Sequence, residues 1–444
     1  MQQSRFPPRS RGGLFPPGPP AADVEPLLRR LSPRLLIFLT IFIDLLGFGI
    51  VIPILSYIAE EYAVGPVREL KVGLLMASYS FFQMVFAPVW GRLSDRVGRR
   101  PILLLSLTGS VVSYALFGIA RSYALLLIAR SFAGVCGANL TAAQAYVADV
   151  TEPEKRASGM GLVGMAFGLG FALGPVLGAG LSLLQGAFRE GLAEQTFPGL
   201  GAASLCLVNL IWAAVALPES LPPGRRGPAS ARGALAPLTA VRAALGHATI
   251  GPLVGVFFVA TLAFSNMEVS LGIYGKIVPE LKMTTREIYV LFIYIGLWLA
   301  FMNGYVVRKL LNYLPETILV IAGTALQSLA LLIFPVVPSK ACVYISIGIL
   351  CVGQGICVPS LLGLVSRTTA ATEQGRTLGV TQSASAMARI LGPMLATAVW
   401  KLLGIAWPFY AGGLIMIGAV GMAILTRRRL IHQPLEAALS FPPR

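Results

Sequence analysis

Gly91-Arg92-Leu93-Ser94-Asp95-Arg96-Val97-Gly98-Arg99-Arg100-Pro101 packs four arginines and one aspartate into eleven residues, between two long apolar segments. Charge this dense between runs this apolar reads as a short turn at a membrane surface, with Gly91 and Gly98 permitting a tight turn and close approach. A second run, Gly170-Phe171-Ala172-Leu173-Gly174-Pro175-Val176-Leu177-Gly178-Ala179, lies inside an apolar span. Its glycines remove side chains from one region and Pro175 removes a backbone donor, so neighbouring helices can approach and the span can bend.

Composition fixes the solvent. Of 444 residues, 56% are hydrophobic and 12% charged, with a mean hydropathy of +0.76. Such a chain cannot cover itself with a water-facing surface and must be solvated by lipid. The net charge of +16 raises the question of nucleic acid, but the basic residues fall in alternate loops and form no single patch. Cys136, Cys206, Cys342, Cys351 and Cys357 are odd in number, lie in or beside apolar runs and lack zinc-like spacing, so they read as packing residues.

Outward from the first run, the chain divides into about twelve segments long enough to cross a bilayer, each of about 20 residues. Six begin near Leu35, Leu70, Pro101, Tyr123, Ala157 and Phe197, and six near Gly251, Arg286, Leu314, Ala341, Thr377 and Gly404. The expected organisation is a disordered tail (1–33), a first six-helix bundle (34–217), a linker rich in Pro, Gly and Arg (218–250), a second bundle (251–429) and a closing tail (430–444). With both termini in the cytoplasm, most of the 35 lysines and arginines fall inside. An internal echo supports duplication: Glu154-Lys155-Arg156-Ala157-Ser158-Gly159 opens the fifth span and Glu373-Gln374-Gly375-Arg376-Thr377-Leu378-Gly379 the eleventh. Gly174-Pro175 and Gly392-Pro393 follow, while Gly304 and Arg308 hold the places of Gly91 and Asp95. Parallel repeats of this kind imply a substrate site near the midplane between the halves.

Ionisable groups at membrane depth are expensive and point to function. Four lie deep: Asp44, Arg130, Glu268 and Arg389. At about 1.5 Å per residue, Asp44 and Arg130 reach levels at which they can pair across helices. The pair has two readings, a switchable proton site and a static packing contact. Glu268 reads as a proton or cation site, or as a structural acid. Arg389 reads as a contact for an anionic substrate group or as the answer to Glu268. His247 and His432 fall in cytoplasmic segments, so a proton carrier within the membrane has to be a carboxylate. Tyr79, Gln83, Asn139, Gln144, Trp298, Asn303, Gln354 and Gln382 are candidate walls of a mixed cavity for small amphipathic compounds, and each is also a candidate for interhelical hydrogen bonding.

The first run resembles the loop motif between the second and third helices of the major facilitator superfamily, and the resemblance extends over nearly the whole chain. It implies an all-α protein of twelve helices in two pseudo-symmetric bundles. Within the motif Gly91, Asp95, Arg96, Gly98, Arg99 and Arg100, with Asp149 and Arg156, would form a cytoplasmic gate. There Asp95 would accept from amides at a neighbouring helix start and pair with Arg99. Leu127-Ile128-Ala129-Arg130-Ser131-Phe132-Ala133-Gly134 looks like the fourth-helix motif whose arginine is tied to proton coupling. Asp44 matches the first-helix acid of the drug-antiporter branch. Gly170, Gly174, Pro175 and Gly178 match the motif of proton-coupled antiporters, with Ala179 where the last glycine usually stands. Residues 79–101 and Ala145-Tyr146-Val147-Ala148-Asp149-Val150 are similar to tetracycline exporters.

What this implies is a monomeric drug:proton antiporter of a bacterial inner membrane, with the proton as coupling ion and no cofactor, metal, ATP or nucleic acid. The rival readings are a uniporter or proton symporter of a metabolite or organic anion, and a transport-inactive sensor or scaffold.

Overall fold

A computed structural model describes residues 32–62, 68–188, 193–222, 224 and 246–432, so most of the expected linker and nearly all of both expected tails lie outside the described residues. Every regular element among the described residues is helical, as lipid demands of backbone groups that have no water to bond. The first half consists of α1 (Pro33–Tyr62), α2 (Arg68–Val97), α3 (Arg99–Ile119), α4 (Tyr123–Gly137), α5 (Leu140–Asp149), α6 (Arg156–Phe188) and α7 (Thr196–Ala216). The second consists of α8 (Ile250–Ile277), α9 (Thr285–Phe301), α10 (Val307–Leu310), α11 (Glu316–Ile333), α12 (Lys340–Arg367), α13 (Gln374–Leu403) and α14 (Trp407–His432). Twelve stretches are long and apolar enough to cross a membrane, α4 with α5 and α9 with α10 each making one.

Local chemistry sets the helix ends and breaks. Ser122 caps α4 by accepting from the Leu125 amide at 3.3 Å, and Thr284 with Glu287 forms a reciprocal capping box on α9. Gly98, at φ 114°, holds a backbone conformation that side chains disfavour and so turns the chain from α2 into α3. The α4–α5 span breaks at Ala138 and Asn139. The α9–α10 span contains a π turn, Met302–Val306, a form that accommodates one extra residue in a helix.

Each half is a bundle, and α2 against α13 and α6 against α9 and α12 join the two. The end of the bundle that holds Pro33 and His432 is here termed proximal, the other distal. At the proximal end one apolar core runs through both halves, from Ile37, Leu103 and Tyr146 to Leu361 and Leu378. At the distal end the core is split. Ile50, Leu55, Tyr114 and Phe117 pack within the first half, and Tyr274, Phe334 and Phe409 within the second. The halves are thus joined at one end and separate at the other.

Candidate functional site

The gap between the halves is a cavity of about 1080 Å³. It is lined from Thr40, Leu103 and Leu362 near the joined end to Gly73 and Lys401 at the distal ends of α2 and α13. Asp44, Tyr79, Gln83, Arg130, Asn139, Gln144, Glu268, Asn303, Gln354, Gln382 and Arg389 all border it. Trp298 does not: along the α9–α10 span the lining residues are Phe292, Ile295, Leu299 and, in the π turn, Asn303, at three- and four-residue steps. Trp298 stands one residue, about 100°, off that stripe, and packs edge-on against Tyr294 and Phe301. The aromatic wall comes from Phe48 and Tyr79, with ring centroids 4.9 Å apart, and from Phe171, Phe264 and Phe292.

Asp44 and Arg130 share the cavity without forming an ion pair. Asn139, at the α4–α5 break, donates to Asp44 Oδ2 at 3.3 Å. Arg130, only 4% exposed, places its guanidinium 5.0 Å from the Tyr79 ring centroid, and its Nε and Nη1 have no hydrogen-bond partner. A cation over an aromatic face gains about 2 kcal/mol when desolvated, which offsets part of its desolvation cost but leaves its donors free. Arg389 likewise does not pair with Glu268. Its Nη1 donates to Ser385 Oγ at 2.8 Å and its Nη2 to Gln83 Oε1 across the interface. Gln83 in turn donates to the Gly137 carbonyl at 3.0 Å, two residues before Asn139. Among the described residues no ion pair joins any of the four deep charges, so two carboxylates and two guanidiniums face one space. Gln382 also reaches across, donating to Gln144 Oε1 at 3.2 Å.

The proximal end is held by the first-quoted run. Asp95 accepts from the amides of Gly375 at 2.9 Å and Arg376 at 2.8 Å, the first turn of α13, where the helix dipole is positive. Arg99, fully buried, bonds Asp95 at 2.6 Å and Asp149 at 3.0 Å. These charge-assisted bonds satisfy a carboxylate that burial would otherwise penalise. The approach is backbone to backbone. A methyl group on Gly91 would collide with the Gly375 carbonyl, and one on Gly375 with that of Gly91. Arg156 does not bond Asp149; its Nη1 crosses to the Ser366 carbonyl at 2.8 Å. Arg100 donates to the Ala214 carbonyl. Glu219 and Ser220, placed in the linker by sequence, instead complete the network. Glu219 accepts from the Arg99 amide at 2.9 Å and Ser220 donates to Asp149 at 3.0 Å.

The glycines of α6 serve two faces. Gly170, Gly174 and Gly178 lie against the backbone of α1 at Leu45, Gly49 and Ile50. Gly161, Gly164 and Gly168 receive α9 and the π turn at Asn303, Ala300 and Gly296. Pro175 lies within α6, a residue after Gly174.

The comparisons with known proteins agree with this architecture. Residues 37–393 match the family described as Major Facilitator Superfamily. The class C tetracycline resistance protein of Escherichia coli is 30% identical over 83% of this chain and 89% of its own length. Major facilitator superfamily domain-containing protein 10 of Bos taurus is 28% identical over 88% and 92%. The crystal structure of the human organic anion transporter MFSD10 (TETRAN) superposes with a TM-score of 0.78 at 26% identity, covering 90% of this chain and all of that one. Twelve apolar spans, two joined bundles and a match over most of the sequence lead to one conclusion: the chain is a multi-pass membrane transporter and belongs to the Major Facilitator Superfamily.

Proposed function

We propose that the protein is a proton-coupled antiporter that exports small amphipathic organic compounds by alternating access. The observation that carries this reading is the large central cavity between the halves, bordered by two carboxylates and two guanidiniums that form no ion pair with one another. With both termini cytoplasmic, the closed proximal end faces the cell interior and the cavity faces outward, in a bacterial inner membrane. A proton arriving from outside neutralises Asp44, and Asn139, which donates to the carboxylate, can then accept from the carboxyl O–H. Glu268 supplies a second carboxylate from the other half. Gln83, Asn139, Gln144, Asn303, Gln354 and Gln382 offer polar contacts along apolar walls, a lining suited to amphipathic compounds. The gate residues hold the interior side shut until the halves rock.

The test is substrate-evoked collapse of a proton gradient in inverted vesicles, over a panel of cationic, zwitterionic and anionic amphiphiles. Collapse with the wild type and none with Asp44→Asn is the expected result. Uptake without any gradient change by a folded wild-type protein would sink proton exchange.

A second reading has its own support. The two partner-free nitrogens of Arg130 are poised for a carboxylate or sulfonate on a substrate, and the human relative MFSD10 is an organic anion transporter. Organic-anion uniport or symport would show as counterflow of labelled anion that persists when the gradient is clamped.

A further inference from the structure

A second cavity, of about 710 Å³, opens at the proximal end between α1, the turn ahead of α6 and α10. It is separate from the transport cavity and shares no lining residue with it. Three cations border it, Arg34, Lys155 and Arg308, against one carboxylate, Glu154. Arg308 is exposed and makes no hydrogen bond or ion pair among the described residues. Lys155 has only a solvent-exposed contact with Glu152 at 2.6 Å, an arrangement worth little. Arg34 touches the Val150 carbonyl through Nε at 3.4 Å, leaving the rest of its fork unengaged. Below the charges the wall turns apolar, with Phe38, Leu162 and Met165.

The pseudo-repeat sharpens the point. Position 95 puts a carboxylate at the α2–α13 seam, whereas the corresponding position 308 puts a guanidinium beside the α6–α9 seam. One seam carries its own anion and the other presents cations to the outside. A tetrahedral phosphate matches guanidinium forks in charge and geometry. A headgroup over an apolar floor, at the ends of membrane spans, matches a phospholipid better than a free ion. We propose that this crevice binds the phosphate of an anionic phospholipid, which bridges Arg34 and Lys155 of the first half to Arg308 of the second. Because the crevice is built from both halves in their joined state, the lipid favours proximal closure.

The experiment uses the full chain in detergent, incubated with dioleoyl phosphatidylglycerol and read by native mass spectrometry for retained lipid. Arg308→Gln and Lys155→Gln are each expected to lower retention about fivefold, and the double variant to retain less lipid than either alone. Arg308→Lys should retain most of it, which separates lost recognition from misfolding. Arg427→Gln with Arg428→Gln, at the same end of the molecule on α14, should leave retention unchanged. Millimolar inorganic phosphate is the competing arm and should not displace the lipid. Retention in the Arg308/Lys155 double variant equal to wild type, an equal loss in the α14 control, or displacement by inorganic phosphate alone would each overturn the proposal.

Discussion

Arg130 shows what sequence reading can and cannot place. Its depth follows from counting helical rise, and so does that of Asp44. Its direction does not, because a single sequence gives no rotation of one helix against another. The expected pair is therefore replaced by two separate contacts, Asn139 with Asp44 and Tyr79 with Arg130. Tyr79 was visible as a cavity residue but not as the platform for a cation. If the ring is that platform, Tyr79→Phe keeps transport near wild type, while Tyr79→Leu lowers the initial rate at least about fivefold, the kinetic equivalent of losing roughly 1 kcal/mol. Equal rates in the two variants, measured in energised vesicles, would remove the ring from the argument. For Asp95 the sequence offers the acid and a neighbouring helix start as its partner, and the structure identifies that start as Gly375 and Arg376 of α13. Asp95→Asn leaves one oxygen to accept but forfeits charge. The expected effect is a tenfold or so rise in labelling of a cysteine introduced at Gln144, near the closed end, on a background without the five native cysteines.

At the scale of elements, the spans were legible because apolar length decides them, and their interruptions were not. The α4–α5 break and the π turn at Met302–Val306 carry only Gly137 with Asn139 and Asn303 with Gly304 inside long apolar spans, residues that elsewhere in the chain sit within unbroken helix. Trp298 was misplaced for a related reason: one residue of rotation moves a side chain off the lining stripe. The α2–α13 contact supplies an element-level prediction. Gly375→Ala inserts a methyl where backbone already touches backbone, so the two helices must part. Cross-linking between Met84→Cys and Ser383→Cys, where the Ser383 hydroxyl meets the Met84 carbonyl at 2.6 Å, should fall several-fold in that variant. An unchanged yield would mean the seam adapts without separating. On the distal side, Lys340 at 2.6 Å and the Thr284 cap pull the Glu287 carboxyl from its ordinary 4.5 to about 2. Its contribution is complete above pH 4.5 and fades as the pH falls toward 2. The melting-temperature difference between wild type and Glu287→Gln should follow that window, and a difference that grows on acidification would contradict it.

For the molecule as a whole, the twofold plan was legible in the repeated Gly-Pro pairs and in the span openings at Glu154 to Arg156 and Glu373 to Arg376, and the joined and separate ends were not. They emerge only from which apolar clusters cross the interface. Two packings that share one chain are what alternating access requires. Joining the closed end covalently is then a direct check. A short bifunctional thiol reagent between Gln144→Cys and Gln382→Cys, whose native side chains meet at 3.2 Å, should stop transport reversibly, while either single variant treated alone keeps working. Persisting turnover in the joined protein would rule out rocking of these halves.

The bond from Asp95 to α13 has a genetic corollary. Its acceptors' partners are main-chain amides of Gly375 and Arg376, so the receiving half contributes no side chain that drift can erase. Codon changes at 376, proline excepted, leave the amide in place, and at 375 the only demand is that nothing be added. Heritable loss of the lock should therefore map to the first half and to Gly375. Second-site revertants of Asp95→Asn should cluster around Ser94, Arg99 and Asp149, with few in α13 itself.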